Sequence, residues 1–213
     1  MPKDNSNVIN IASRRDNTKV WTPAFRGGFV NVHKPKTIPG TQGEPTYSIV
    51  MLFDEGENLK HLKAAVMEAA KEKWGADAKK ISESPKFRDP FKDQGEMVSK
   101  TGDLYAGMVP GATCVTASSK ESHGRPQVVD RDGKDLIDQS EVYSGAWYRA
   151  TIKAYAWDHP VGGKGVSSGL QNVQKLDDGE RLGGGRRAAN DDFEPLEEVK
   201  KTGTDDDETS WGD

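Results

Sequence analysis

The stretch Ser144 to Trp157, SGAWYRATIKAYAW, decides how this chain folds. Read at a period of two, it places Trp147, Arg149, Thr151, Lys153, Tyr155 and Trp157 on one side and Ala146, Tyr148, Ala150, Ile152, Ala154 and Ala156 on the other. Successive side chains of a strand point to opposite faces. The even-numbered face is small and apolar, suited to a core. The odd-numbered face interleaves three aromatic rings with two cations, and burying Arg149 and Lys153 without partners would carry a heavy desolvation cost. The stretch therefore predicts a long strand with the alanine side inward and the aromatic and basic side outward.

Working outward from it, Val20 to Pro35 (VWTPAFRGGFVNVHKP) is rich in strand formers, with Gly27 and Gly28 marking a bulge or sharp bend. Tyr47 to Phe53 reads as a second strand. Glu57 to Gly75 places Leu59, Leu62, Val66 and Ala69 or Ala70 on one stripe, which predicts an amphipathic helix ended by the glycine. Residues 76 to 109 read as irregular. Gly111 to Ser118 and Arg125 to Asp130 read as strands, the second entering an RDGK turn. Ser144 to Trp157 is expected to be the longest strand, followed by a Gly-rich turn and a further strand from Val166 to Leu176. From Asp177 onward, Gly and charge predict a tail. About six strands and one helix suit a small twisted barrel better than a parallel α/β sheet.

Composition bounds the rest. The 213 residues, 33% hydrophobic and 30% charged, allow one domain with extensions. No apolar run approaches the roughly 20 residues of a membrane span. The first residues lack the apolar core of a secretory signal, so a cytoplasmic location is expected. Cys114 is the only cysteine, which rules out an internal disulfide. The net charge of −4 is unevenly spread: residues 191 to 213 carry −8 and residues 1 to 190 carry +4. A basic body with an acidic tail suits a partner-facing role, and a plain solubility tail is the alternative.

Enzyme and metal patterns fail on particular residues. Gly163-Lys164 has Gly165 where a P-loop needs Ser or Thr, and Asp158 where the first Gly belongs. Asp130 to Glu141 mimics a calcium loop but has Asp135 at the position of the sharp-turn Gly. His33, His61, His123 and His159 form no i, i+4 pair. No cofactor and no metal are expected. Binding then explains the outward face. Single-stranded nucleic acid exposes base faces and phosphates together, and aromatics interleaved with Arg and Lys hold both without reading sequence. Trp147, Tyr155 and Trp157 fit the stacking role, and Arg149 and Lys153 the phosphate role. A protein interface, which also favours Trp, Tyr and Arg, is the alternative.

Three segments in order, SSKESHGRPQVVD (118 to 130), YSGAWYRATIKAYAW (143 to 157) and GLQNVQKLDDGERLGGGRRAANDDFEPL (169 to 196), resemble a family of phage-encoded single-stranded DNA-binding proteins. The resemblance spans roughly Val20 to Leu196. It implies an OB-like small β-barrel, a role in phage replication and recombination in the host cytoplasm, and no catalysis. It adds Lys120 and Arg125 to Arg149, Tyr155 and Trp157 as DNA contacts. Its domain plan is a flexible segment over 1–19, an OB-like domain over 20–182, and a Gly-rich hinge with acidic tail over 183–213. Asp205, Asp206, Asp207, Glu208 and Trp211 resemble the acidic, aromatic-bearing ends through which such proteins dock DNA polymerase and other replication partners. Such a tail can also compete with DNA for the groove, and without it weak duplex binding is expected. One feature departs from the family pattern: the helix follows the second recognisable strand, whereas an OB barrel usually has it after the third. Splitting the first strand at Gly27-Gly28 would restore the count. Alternatives of other classes are an acid-based nuclease or other nucleic-acid-processing enzyme, and a protein-interaction module that mimics DNA.

Overall fold

The computed structural model describes residues 17–37 and 43–183. The first 16 residues and the hinge and tail from residue 184, with Asp205, Asp206, Asp207, Glu208 and Trp211, lie outside the described residues. The strands are β1 (Lys19–Trp21), β2 (Phe25–Lys36), β3 (Thr46–Leu52), β4 (Phe91–Asp93), β5 (Thr113–Lys120), β6 (Gln127–Val129), β7 (Trp147–His159) and β8 (Gly163–Asp177). Helix α1 (Lys60–Trp74) follows β3, and a short α2 (Ala78–Ser82) follows α1. The longest strand is β8, with 15 residues against 13 in β7. It continues through Asp177, where a tail was expected.

Hydrogen-bonded neighbours close a ring, β7 to β2 to β3 to β5 to β8 and back to β7. All pairs in it are antiparallel except β5 with β8. Closure removes the free edges that an open sheet would present. On either side of its short contact with β5, the same edge of β8 is covered by β6, which pairs with residues 172–174, and by Arg88, which bridges Gly165.

The alternation read in the sequence holds. Ala146, Tyr148, Ala150, Ile152 and Ala154 are buried inside the ring, while Lys153 and Tyr155 on the other face are exposed. They share the interior with Phe25, Ile49, Met51, Val115, Leu170 and Val173. Helix α1 packs Leu62, Ala65, Ala69 and Ala70 into this core, ending at Gly75 with φ 55°. Ala65 takes the buried place expected for Val66, which is half-buried.

The first barrel strand is broken, though not at Gly27-Gly28. The break lies at Thr22 to Ala24, around Pro23, which has no N–H for a ladder. There the Thr22 hydroxyl accepts the Ala150 N–H at 2.9 Å and the Thr22 N–H donates to Ala150 O at 2.9 Å. Both pieces, β1 and β2, pair with β7, so they form one barrel strand in two parts. The helix therefore does lie between the second and third barrel strands, and the departure from the usual OB order stands.

Gly27 and Gly28 serve other ends. A Cβ on Gly27 would meet Tyr148 Cε2 at 2.6 Å, because the Tyr148 ring fills the space beside it. The Tyr148 hydroxyl donates to Tyr143 O at 2.8 Å and accepts from Tyr143 N–H at 2.9 Å. The bulge comes one residue after the glycine pair: Gly28 pairs with Val50 and Asn31 with Ser48, so Phe29 and Val30 together face Ile49.

The region from 76 to 109, expected to be irregular, contains α2 and β4 and is tied down by Gln94. Its buried amide donates to Phe53 O at 2.8 Å and Thr113 O at 3.0 Å, and its oxygen accepts from Val109 N–H at 3.0 Å. The RDGK turn forms as read. Asp130 carboxylate accepts from the N–H of Asp132 and of Lys134, both at 2.9 Å, so this acid is engaged in a turn.

Two measurements follow. Gly27→Ala should cost about 1–3 kcal/mol by denaturant unfolding, the usual range for overpacking a core; an unchanged midpoint would mean the Tyr148 ring has room to move. Burial pushes the Tyr148 hydroxyl well above the ordinary tyrosine value. Its raised value means the stability it contributes is fully present below pH ~10 and is lost as pH rises further through the folded value. Tyr148→Phe should therefore flatten the alkaline limb of the stability profile, and an identical limb would exclude this group as its cause.

Candidate nucleic-acid interface

The outward face of β7 continues across its neighbours, because residues opposite one another in a ladder share a face. Lys153 lies opposite Gly169 of β8 and Lys19 of β1. Gly169 pairs with Ser118 of β5, and Ser118 with Ser48 of β3. Tyr155 lies opposite Ser167, and Trp157 opposite Gly165. Between the aromatic and basic side chains of β7 and the far side of β5 the surface thus carries only small residues. Lys120, exposed at the end of β5, is two residues beyond Ser118 on the same side of that strand.

The rings of Tyr155 and Trp157 come close to β8. Tyr155 is 46% exposed, and a Cβ on Gly169 would sit 3.6 Å from its Cε1. Trp157 is half-buried: its Nε1 donates to Ser167 Oγ at 2.9 Å, and a Cβ on Gly165 would come within 2.6 Å of both its Cζ2 and Arg88 Cβ. The small residues on β8 leave room for both rings to come close to that strand.

The predicted residues divide by position. Lys153, Tyr155 and Trp157 are brought together, and the register adds Lys120. Arg149 is half-buried, with its Nε donating to Gln174 Oε1 at 2.6 Å and its guanidinium 4.9 Å from the Trp21 ring centre. Trp147 is half-buried with Gly179 against it, whose Cβ would lie 3.5 Å from Trp147 Cδ1. Arg125 is exposed and turned toward β2, its Nη1 3.3 Å from His33 Nδ1. Burial and then the Arg125 charge hold the His33 imidazole below its usual pKa, which favours the neutral ring beside the guanidinium.

Trp21, Lys19 and Arg88 were not singled out from sequence. Lys-Val-Trp at 19–21 does alternate as a strand, but only the pairing with β7 brings it to this face. Arg88 sits in a stretch without strand periodicity and arrives by the bridge to Gly165.

Where a tail was expected, Asp178 to Gly183 runs back over the barrel. Tyr143 OH donates to Asp178 Oδ1 at 2.9 Å, Arg181 stacks 3.9 Å from the Tyr143 ring centre, and Arg26 Nη2 donates to Glu180 O at 2.7 Å. Leu182 then packs on a small outer cluster of Val50, Leu52, Met108 and Cys114. This cover leaves the β7, β8 and β5 surface described above open.

The family described as "Enterobacter phage Enc34, ssDNA-binding protein" matches residues 18–208. The chain belongs to this family. A protein designated p50 from Acyrthosiphon pisum secondary endosymbiont phage 1 is 31% identical over 187 residues, covering 84% of this chain and 94% of that protein. Two solved structures share the fold. The single-stranded DNA-binding protein of bacteriophage Enc34, in complex with single-stranded DNA, has a TM-score of 0.60 at 22% identity, covering 78% of this chain and 90% of that one. Gp2.5, a single-stranded DNA-binding protein encoded by bacteriophage T7, has a TM-score of 0.54 at 15% identity, covering 89% and 98%. The fold is thus the OB-like barrel of phage single-stranded DNA-binding proteins, and the family is one of binding proteins, not enzymes.

Gly165→Ala tests how Trp157 is held. The added methyl should lift the indole off β8, red-shift its emission and cost about 1–3 kcal/mol of stability. An unchanged spectrum and midpoint would show that the ring does not rest on this glycine.

Proposed function

We propose that this chain binds single-stranded DNA without regard to sequence, in phage DNA replication and recombination within the host cytoplasm. The observation that carries the reading is the outward row of β7 and its continuation, where Lys153, Tyr155 and Trp157 border a strip of small residues that leads to Lys120. Bases stack on Tyr155 and Trp157, and Lys153, Lys19 and Lys120 meet phosphates. Arg149, beside Trp21 of β1, and Trp147, opposite Arg26 of β2, extend the track along β7, with Arg149 exchanging its bond to Gln174 for a phosphate. Arg125 flanks it at the β2 side. Among the described residues no helix is long and apolar enough to cross a membrane.

Stacking is the larger contribution, at about 1–3 kcal/mol per base, against at most about 1 kcal/mol for an exposed ion pair. Tyr155→Ala with Trp157→Ala should weaken oligothymidine binding by about 2–6 kcal/mol while circular dichroism stays unchanged. A folded double variant with wild-type affinity would defeat the reading. Affinity should fall with salt at about −0.7 per phosphate contacted, and Lys153→Ala and Lys120→Ala should each lower that slope by about one such step.

The acidic end, Asp205, Asp206, Asp207 and Glu208 with Trp211, docks replication proteins such as DNA polymerase and competes with DNA for the basic face. Removing residues 191–213 takes −8 from a chain whose remainder is +4. DNA should then bind more tightly, most of all at low salt where the Debye length is about 30 Å. Weak duplex binding should also appear. Identical titrations of the full and shortened chains at low salt would leave the tail as a solubility device.

A further inference from the structure

We infer that Phe29, with Tyr105 beside it, is a second base-stacking platform on β2, set apart from Tyr155 and Trp157 by the covered part of β3. The inference rests on the DNA-binding reading above.

Phe29 has φ 46°, and it is the only non-glycine among the described residues with a positive φ. A bulky side chain rarely occupies this left-handed region, because its Cβ crowds the carbonyl. Such strain, when found, points to a functional demand at the position. The bulge explains how it arises: alternation from Phe25 and Gly27 would send residue 29 inward, but the extra residue lets Val30 pack on the core and turns Phe29 out. A glycine would make the same bulge without strain. The chain instead carries a phenylalanine that is 42% exposed.

Its surroundings suit a base. Tyr105, itself 38% exposed, meets it edge to face with ring centres 4.9 Å apart and planes at 89°. In that arrangement each ring keeps at least one face that the other does not cover. The platform lies on the same row of the barrel as Tyr155, with the Met108 and Leu182 cover over Val50 between them. Gly28 pairs with Val50, and Val50 with Thr116 of β5. Thr116 precedes Ala117, which pairs with Ser168, so it stands beside Ser167, the partner of Tyr155. From Tyr155 to Phe29 the row therefore crosses β8, β5 and β3, four strand spacings of about 4.8 Å each. Leu182 and Met108 line the same hollow as the two rings.

The experiment separates this role from a loop clamp, from self-association and from failure of the DNA-binding reading itself. Phe29→Gly and Phe29→Asn remove the ring while suiting the left-handed backbone, and Phe29→Trp restores a stacking surface. Fluorescently labelled oligothymidine is titrated at fixed salt, with thermal unfolding and sedimentation run on the same full-length proteins. The expected result is an affinity loss of about 5- to 150-fold in the Gly and Asn variants, the range for one lost stacked base. Their thermal midpoints should be equal to or above wild type, and Phe29→Trp should bind like wild type. Wild-type affinity in the Gly and Asn variants overturns the inference. A lower midpoint with unchanged affinity assigns Phe29 to holding the Tyr105 loop, and an affinity loss that tracks a change in oligomeric state assigns it to self-association; both overturn it. A wild-type protein that fails to bind oligothymidine refutes the DNA-binding reading instead.

Discussion

The rest of the structure depends on β7 having both of its edges occupied. One edge pairs with β8 along its whole length, and the other pairs first with β2 and then with β1. A strand so held cannot slip by one residue, since the slip would exchange its faces. Tyr148, Ile152 and three alanines would then face water, and Arg149 and Lys153 would enter the core. The hydrophobic cost on one side and the desolvation cost on the other act together, so barrel closure and the basic outward face share one cause.

Tyr148 makes that constraint stricter. It is the largest side chain fully inside the ring, its hydroxyl is satisfied by both backbone groups of Tyr143, and its ring packs where Gly27 has no side chain. The same contact fixes where the loop before β7 ends. From there Tyr143 holds Arg181 and Asp178, which bring the segment after β8 back over the barrel. An interior tyrosine thus positions the outer cover that leaves one part of the surface open.

That open part is defined by size as much as by charge. Gly165, Ser167 and Gly169 on β8 are small on the outward side, and so the Tyr155 and Trp157 rings can come close to that strand. A larger residue at Gly165 would collide with the Trp157 ring. The glycines of β8 and the aromatics of β7 are two halves of one device, brought into register by the hairpin that joins the strands.

The sequence by itself determined the face of β7, the amphipathic helix and its glycine stop, the RDGK turn and the mainly β character, because each follows from side-chain period or local backbone preference. It also carried Lys153, Tyr155 and Trp157 as a group, since they sit on one strand at a spacing of two. Only the tertiary structure decided what depends on pairing between distant segments. Lys19 and Trp21 reach the face because β1 lies against β7, and the break in the first barrel strand falls at Pro23 because Thr22 bonds to Ala150. The chain after Asp177 reads as a tail, being rich in Gly and charge, yet it docks because Tyr143 and Arg26 offer it partners more than 30 residues away in sequence. Phe29 faces outward because one extra residue in β2 has no counterpart in β3, and that mismatch belongs to two strands together, not to either one alone.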